Sequence, residues 1–200
     1  RVDDVRKAMD AAKHPAMLMV DTISSLACTD LRHDEWNIDV TVSGSQKGMM
    51  LPPGLSFTAM SAKALEASKT AGLKRSYFAW DDMLTNNATG FFPYTPATGL
   101  LYGLAEAIDM INEEGLENVF IRHERLAEAT RRAVKAWGME IQCRDPKYYS
   151  PAVTTVIMPE GHNADAYRKV VLDNFNMSLG TGLNKIAGKV FRIGHLGDTN

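Results

Sequence analysis

The sequence predicts an α/β fold, a mostly parallel sheet with helices, followed by a smaller α+β unit. Three observations lead there. Short apolar runs, AMLMV at 16–20 and DVTVS at 39–43, are bounded by turn formers, as buried parallel strands are. Stretches with apolar residues at helical spacing alternate with these runs. After Gly138 the pattern changes to short β-rich runs around a single helix.

Taken in order, Val2, Val5, Ala8, Met9 and Ala12 mark a helix that His14-Pro15 ends. The strand at 16–20 stops at Asp21. DVTVS (39–43) and LSFTAM (55–60) are further strands, and SAKALEASKTAG is a capped helix closed by Gly72. Residues 74–96 have weak periodicity, many aromatics and many turn formers. They read as a long excursion of the kind that serves function or an interface. From Ala97 to Trp137 helical spacing returns in two stripes, one through Leu101, Leu104, Ile108 and Ile111, the other from Val119 through His123 to Trp137. Gly115 breaks the run and Gly138 caps it. MEIQC, VTTVIMP, the helix NADAYRKVVLDNF, the loop GTGLNKIAGK and the strand KVFRIG complete the smaller unit. The division is drawn as 1–120 and 121–200. The chain opens without Met on a helix under way and stops just after a strand. An internal piece of a longer protein is therefore expected, with the second unit truncated at its C-terminus.

Composition narrows the function classes. At 45% apolar, 23% charged and a net charge of -2, the chain has no electrostatic reason to bind nucleic acid or an anionic membrane. Cys28 and Cys143 lie far apart with no Cys-x-x-Cys spacing, which fits reduced thiols in a cytoplasmic compartment and no metal framework. No apolar run has the length of a membrane span, and no signal-peptide pattern opens the chain.

A few residues stand out chemically. Asp21 follows an apolar strand, where ligand sites of α/β sheets gather; it suits a cationic nitrogen, or equally caps the turn it begins. Lys47 sits in a tight SGSQKG loop between apolar strands. A lysine that loses hydration there becomes nucleophilic toward an aldehyde, whereas the bland reading is a surface lysine in a hairpin-like connection. Ser43, Ser45 and Gln46 beside it are donors suited to a phosphate. The Gly-x-x-x-x-Gly-Lys order of a P-loop is absent. Arg192 ends an apolar strand, and its planar fork suits a carboxylate; a strand-edge salt bridge is the alternative. His195 is a base, a ligand or a structural histidine near a glycine turn, and His33 belongs to a solvated turn. Together, an anion for a pyridinium, an amine for an aldehyde, phosphate donors and a carboxylate clamp make the set that pyridoxal 5'-phosphate needs.

The stretches MVDTISSLACTDLRHDEWNIDVTVSGSQKGMMLPPGLSF, GFFPYTPATGLLYGL, EEGLENVFIRHERLAEA and GKVFRIGHLGD closely resemble the class V, fold-type I aminotransferases that use glyoxylate. The resemblance covers essentially the whole chain. It implies that residues 1–120 are the C-terminal part of a large pyridoxal-phosphate domain and 121–200 a small α+β domain. It implies transfer of an amino group from an L-amino acid, serine first and alanine or aspartate next, to glyoxylate. Carried over residue by residue, it implies that Lys47 holds the cofactor as a Schiff base and shuttles the proton, and that Asp21 pairs with the pyridine nitrogen. Ile23 lies against the ring, and Gln46 donates to the phosphate. Thr95 reaches the phosphate across a homodimer interface, and Arg192 binds the substrate carboxylate. Alanine-using animal relatives carry a tyrosine three residues before that threonine; here the position is Phe92, with Tyr94 nearby. Cysteine desulfuration, a second chemistry of this superfamily, needs a cysteine on a mobile loop, and neither Cys28 nor Cys143 is so placed. The segment alone is expected to bind the cofactor weakly and turn over little.

Overall fold

The computed structural model describes residues 1–198. A helix, α1 (Val2–Ala11), opens the chain and buries none of its residues. Arg6–Asp10 and Lys7–Asp3 pairs brace it at one-turn spacing. Strand β1 (Met19–Asp21) then runs parallel to β2 (Val40–Gly44), and β3 (Ser56–Met60) pairs antiparallel with β2. β2 is the central strand of the three.

Two expectations change here. The 16–20 run is not a buried strand: Met17 and Met19 are exposed, since β1 is an edge strand of the described sheet. It also starts late, because the Asp39 carboxylate takes the Leu18 N–H at 2.8 Å and ends the ladder there. The mostly parallel sheet is mixed among the described residues. The 45–55 loop returns the chain directly, and a direct return permits only an antiparallel neighbour.

After α2 (Ala62–Lys69), capped by the Ser61 side chain on Ala64 N–H, the excursion contains a helix that weak periodicity had hidden, α3 (Trp80–Asn87). The long helical stretch divides as expected. α4 (Thr98–Glu114) and α5 (Leu116–Ala136) meet at Gly115, whose φ of +83° a side chain would strain. Gly138, at φ +74°, then turns the chain out of the helix.

The second sheet has the order β4-β5-β7-β6, all neighbours antiparallel, from β4 (Glu140–Ile141), β5 (Val153–Ile157), β6 (Gly180–Thr181) and β7 (Val190–Gly194). α6 (Ala164–Phe175) lies between β5 and β6 in the chain. Alternation decides what each face does. Val156 and Phe191, paired across β5 and β7, point into a core with Val134 of α5, Val171 of α6 and Leu179. Their neighbours Thr155 and Arg192, also paired, point to the opposite face. Among the described residues no helix is long and apolar enough to cross a membrane.

Candidate active site

The carboxyl ends of β1 and β2 are tied together by side chains as well as by the ladder. Thr22 donates both its N–H and its hydroxyl to the Val42 carbonyl, at 2.8 and 3.1 Å, and the Ser43 hydroxyl donates back to the Thr22 carbonyl at 3.1 Å. Asp21, in register with Val42, therefore projects from a fixed strand end. Its Oδ1 accepts the Ile23 N–H at 2.8 Å. The turn-capping role is thus real. It also orients the exposed carboxylate, and Oδ2 has no protein partner among the described residues.

Lys47 lies three residues beyond the end of β2 on the same side of the sheet. The fully buried Ser45 closes its loop: the hydroxyl donates to the Pro52 carbonyl at 2.8 Å and accepts the Leu55 N–H at 3.2 Å. The Met50 N–H then bonds to the Lys47 carbonyl at 2.9 Å. Gly48 presses its backbone onto the turn that follows Asp21, where an added Cβ would stand 2.1 Å from the Leu26 oxygen. The Asp21 turn and the Lys47 turn are thus in direct backbone contact. Lys47 is half-buried as a residue, and its Nζ has no acidic or hydrogen-bonding partner among the described residues.

Arg192 lies on the open face of β7. Its Nε donates to the Thr181 carbonyl at 2.8 Å, which fixes the guanidinium plane, and Nη1 and Nη2 have no partner among the described residues. Gly180, opposite it on β6, makes the room: a Cβ there would stand 3.0 Å from Arg192 Cβ and 3.2 Å from Nε. The salt-bridge alternative therefore does not hold, and the free edge of the fork suits a carboxylate.

Several candidates take other places. The hydroxyl hydrogens of Ser43 and Ser45 go to backbone carbonyls, so neither serine is a spare phosphate donor. Gln46 is exposed, with its amide folded back over Gly44. Ile23 is half-buried beside Asp21. Thr95 is exposed on the loop before α4, amid exposed Phe91, Phe92 and Tyr94, and no contact joins it to Lys47 among the described residues. His33 is not solvated: it is half-buried with Nδ1 2.7 Å from the Thr41 hydroxyl.

His195 is structural. At 3% exposure it holds the Pro151 carbonyl through Nδ1 at 2.9 Å and the Thr154 hydroxyl through Nε2 at 3.0 Å. Burial holds its pKa below the ordinary 6.5. Cys28 is buried directly beneath Gly48, and burial pushes its thiol up to about 11. A thiol so placed is no nucleophile at neutral pH. Sequence reasoning passed over Arg122 and Gly197, and took His123 only as part of an apolar stripe. Their one visible signal was a polar pair, Arg122-His123, inside an otherwise regular amphipathic helix.

The family described as aminotransferase class V matches residues 1–191. Serine–glyoxylate aminotransferase of Hyphomicrobium methylovorum is 54% identical over 98% of this chain and 49% of its own length. L-aspartate–glyoxylate aminotransferase of Paracoccus denitrificans is 51% identical over 96% of this chain and 49% of its own. Among solved structures, alanine–glyoxylate aminotransferase from Nostoc superposes with a TM-score of 0.90 at 29% identity, covering 99% of this chain and 52% of that one. The chain spans about half the length of the curated relatives it matches.

Proposed function

The chain belongs to the class V aminotransferases, and on that premise we propose that it is the lysine-bearing half of a pyridoxal-phosphate-dependent enzyme that transfers the amino group of L-serine to glyoxylate, giving glycine and hydroxypyruvate. The observation that carries the reading is the unpaired Lys47 amine on a turn locked against the Asp21 turn. The donor set fits the cofactor: an oriented carboxylate with a free oxygen for a pyridinium, and a free amine for an aldehyde. Gln46 is what remains locally for a phosphate. Bound there, pyridoxal phosphate supplies an electron sink and carries the amino group between two half reactions.

The chain's own residues have these proposed roles. Asp21 Oδ2 would hold the ring nitrogen protonated, and Ile23 would line the ring face. Lys47 Nζ would take the proton from substrate Cα and return it, as general base and then acid. Arg192 grips the substrate carboxylate through its Nη edge, leaving the side chain to choose the donor. Thr95 is assigned to the phosphate held by the partner in a homodimer. The exposed aromatics Tyr77, Phe78, Phe91, Phe92 and Tyr94 around that loop support an interface there. Residues 1–120 are assigned to the cofactor domain and 121–200 to the small domain, with α5 crossing the division.

The testing experiment uses the full-length protein. Lys47→Ala is expected to abolish transamination and the cofactor's lysine-linked absorbance; survival of both would refute the reading. A donor panel of serine, alanine and aspartate with glyoxylate then identifies the amino acid, and aspartate outrunning serine would replace serine as donor.

A further inference from the structure

The Lys47 turn is walled on two sides. Gly48 faces the Leu26 carbonyl on one side. On the other stands Gly197: a Cβ added to it would meet the Lys47 carbonyl oxygen at 3.6 Å and Met50 Cγ at 3.7 Å, so the glycine lies beside the turn. Gly197 has φ +81°, and both of its backbone polar groups are held by adjacent residues of α5. Its N–H donates to His123 Nε2 at 3.0 Å and its carbonyl accepts Arg122 Nη1 at 2.6 Å.

Both clamping side chains are themselves fixed. His123 is fully buried, and its Nδ1–H donates to the Val119 carbonyl at 2.8 Å, which makes Nε2 the acceptor. Arg122 is gripped in a fork by Glu114, at 2.7 Å to Nε and 2.9 Å to Nη2. That bond keeps the Glu114 carboxyl below its usual range, so the pair stays charged through neutral pH. Between Gly197 and Arg192 the chain is pinned again: His195 N–H bonds to the Ala152 carbonyl at 3.1 Å, and its ring bonds to Thr154 and Pro151. The chain that leaves Arg192 is thus pinned at His195 and again at Gly197, beside the Lys47 carbonyl.

We infer that Arg122 and His123 are positioning residues which, through Gly197, hold the Lys47 turn in register with Arg192. The inference rests on the roles proposed above for Lys47 and Arg192. A lysine and a carboxylate clamp carried on different sheets need a common reference, and Gly197 is where the chain leaving β7 runs beside the turn that follows β2. Small displacements matter here, since a shift of about 1 Å in a reacting group costs on the order of a hundredfold in rate.

The test is Arg122→Met in the full-length protein, with Arg122→Lys as the conservative partner. Without added cofactor, hydrogen exchange at the Met50 and Leu51 amides, which close the turn onto Lys47 and Ser45, is expected to rise about tenfold in Arg122→Met. The amides of β2 and β3 should stay as in the unaltered protein. With cofactor, kcat is expected to fall on the order of a hundredfold with a much smaller change in donor KM, and Arg122→Lys to recover most of both effects. Unchanged exchange at Met50 and Leu51 overturns the inference. So does a uniform rise across the whole chain, which marks a merely structural bond, and so does a wild-type kcat. A Lys47→Ala enzyme that still transaminates would refute the proposed function instead, and the exchange result would stand apart from it.

Discussion

Gly48 and Leu26 are in such close backbone contact that a methyl group on residue 48 would stand 2.1 Å from the Leu26 carbonyl oxygen and 2.8 Å from Cys28 Sγ. This contact joins the turn after β1 to the turn after β2, and so joins Asp21 to Lys47. A backbone oxygen cannot rotate away as a flexible side chain does. Gly48→Ala must therefore push the two turns apart, at about 1–3 kcal/mol of stability. The expected outcome is a protein that still folds but has lost most of its lysine-linked cofactor absorbance. A thermal melt and a cofactor titration check it, and a variant with wild-type cofactor spectrum would show that the contact does not position Lys47.

Beneath Gly48, Cys28 is 1% exposed, and its thiol is raised from an ordinary 9.0 to about 11 by burial, with a smaller opposing pull from the Gly197 N–H and Arg122. The unfolded chain releases that proton near the ordinary value while the folded chain keeps it. Between the two values the folded state binds more protons, so stability is full below about 9 and falls as pH rises toward about 11. The loss is on the order of 2–3 kcal/mol. Denaturant melts across this range should show the slope, and Cys28→Ala should lack it. At pH about 8 an alkylating reagent should label half-exposed Cys143 and spare Cys28; labelling of Cys28 in the native protein would contradict its burial.

Apolar patterning made α4, α5, β2, β5 and β7 legible, most plainly α5 and β5, which each bury one regular face. α3 was not, since its eight residues offer only Trp80, Met83 and Leu84 at helical spacing before polar Thr85, Asn86 and Asn87, too short a pattern to stand out. Asp21, Lys47 and Arg192 were visible as types in suggestive positions, and the resemblance supplied roles for them. What no local pattern encodes is which hydroxyl spends its hydrogen where. Ser43 and Ser45 look like phosphate donors in SGSQKG, yet both bond to carbonyls that folding brings to them, Thr22 on the neighbouring strand's end and Pro52 seven residues along the same loop. The same holds for Gly197: its partners, Arg122 and His123, lie far away in sequence, and only the folded chain brings them to it.

His195 gives a second pH signature, on the acid side. Both ring nitrogens are engaged in a way that needs the neutral ring, donating to Pro151 and accepting from Thr154. Burial, the leading cause, lowers its pKa below 6.5. Once the pH falls below the ordinary value the unfolded chain takes up a proton that the folded chain refuses. Stability is therefore fully present above about 6.5 and declines as pH drops from there to the depressed value. Melts between pH about 7.5 and 5 should show this decline, and His195→Gln should flatten it while lowering stability throughout. An unchanged acid slope in that variant would remove His195 from the account.

A change at Gly180 distinguishes the substrate role proposed for Arg192 from the cofactor role proposed for Lys47. It faces Arg192 across the β6–β7 pair, and a Cβ there would lie 3.0 Å from Arg192 Cβ and 3.2 Å from Nε. At those distances the Arg192 side chain must give by a few tenths of an ångström. Gly180→Ala is therefore expected to shift the guanidinium relative to the Thr181 carbonyl that now orients it at 2.8 Å. Nothing in that movement touches Asp21 or the Lys47 turn. In the full-length protein Gly180→Ala is therefore expected to raise KM for both amino and keto acid about tenfold, the cost of roughly one misaligned charged hydrogen bond. Cofactor absorbance and content should stay as they were. Arg192→Lys, which keeps the charge but loses the planar fork, should raise KM at least as far. If Gly180→Ala instead lost cofactor while keeping its KM values, Arg192 would have to be reassigned from the substrate carboxylate to the cofactor.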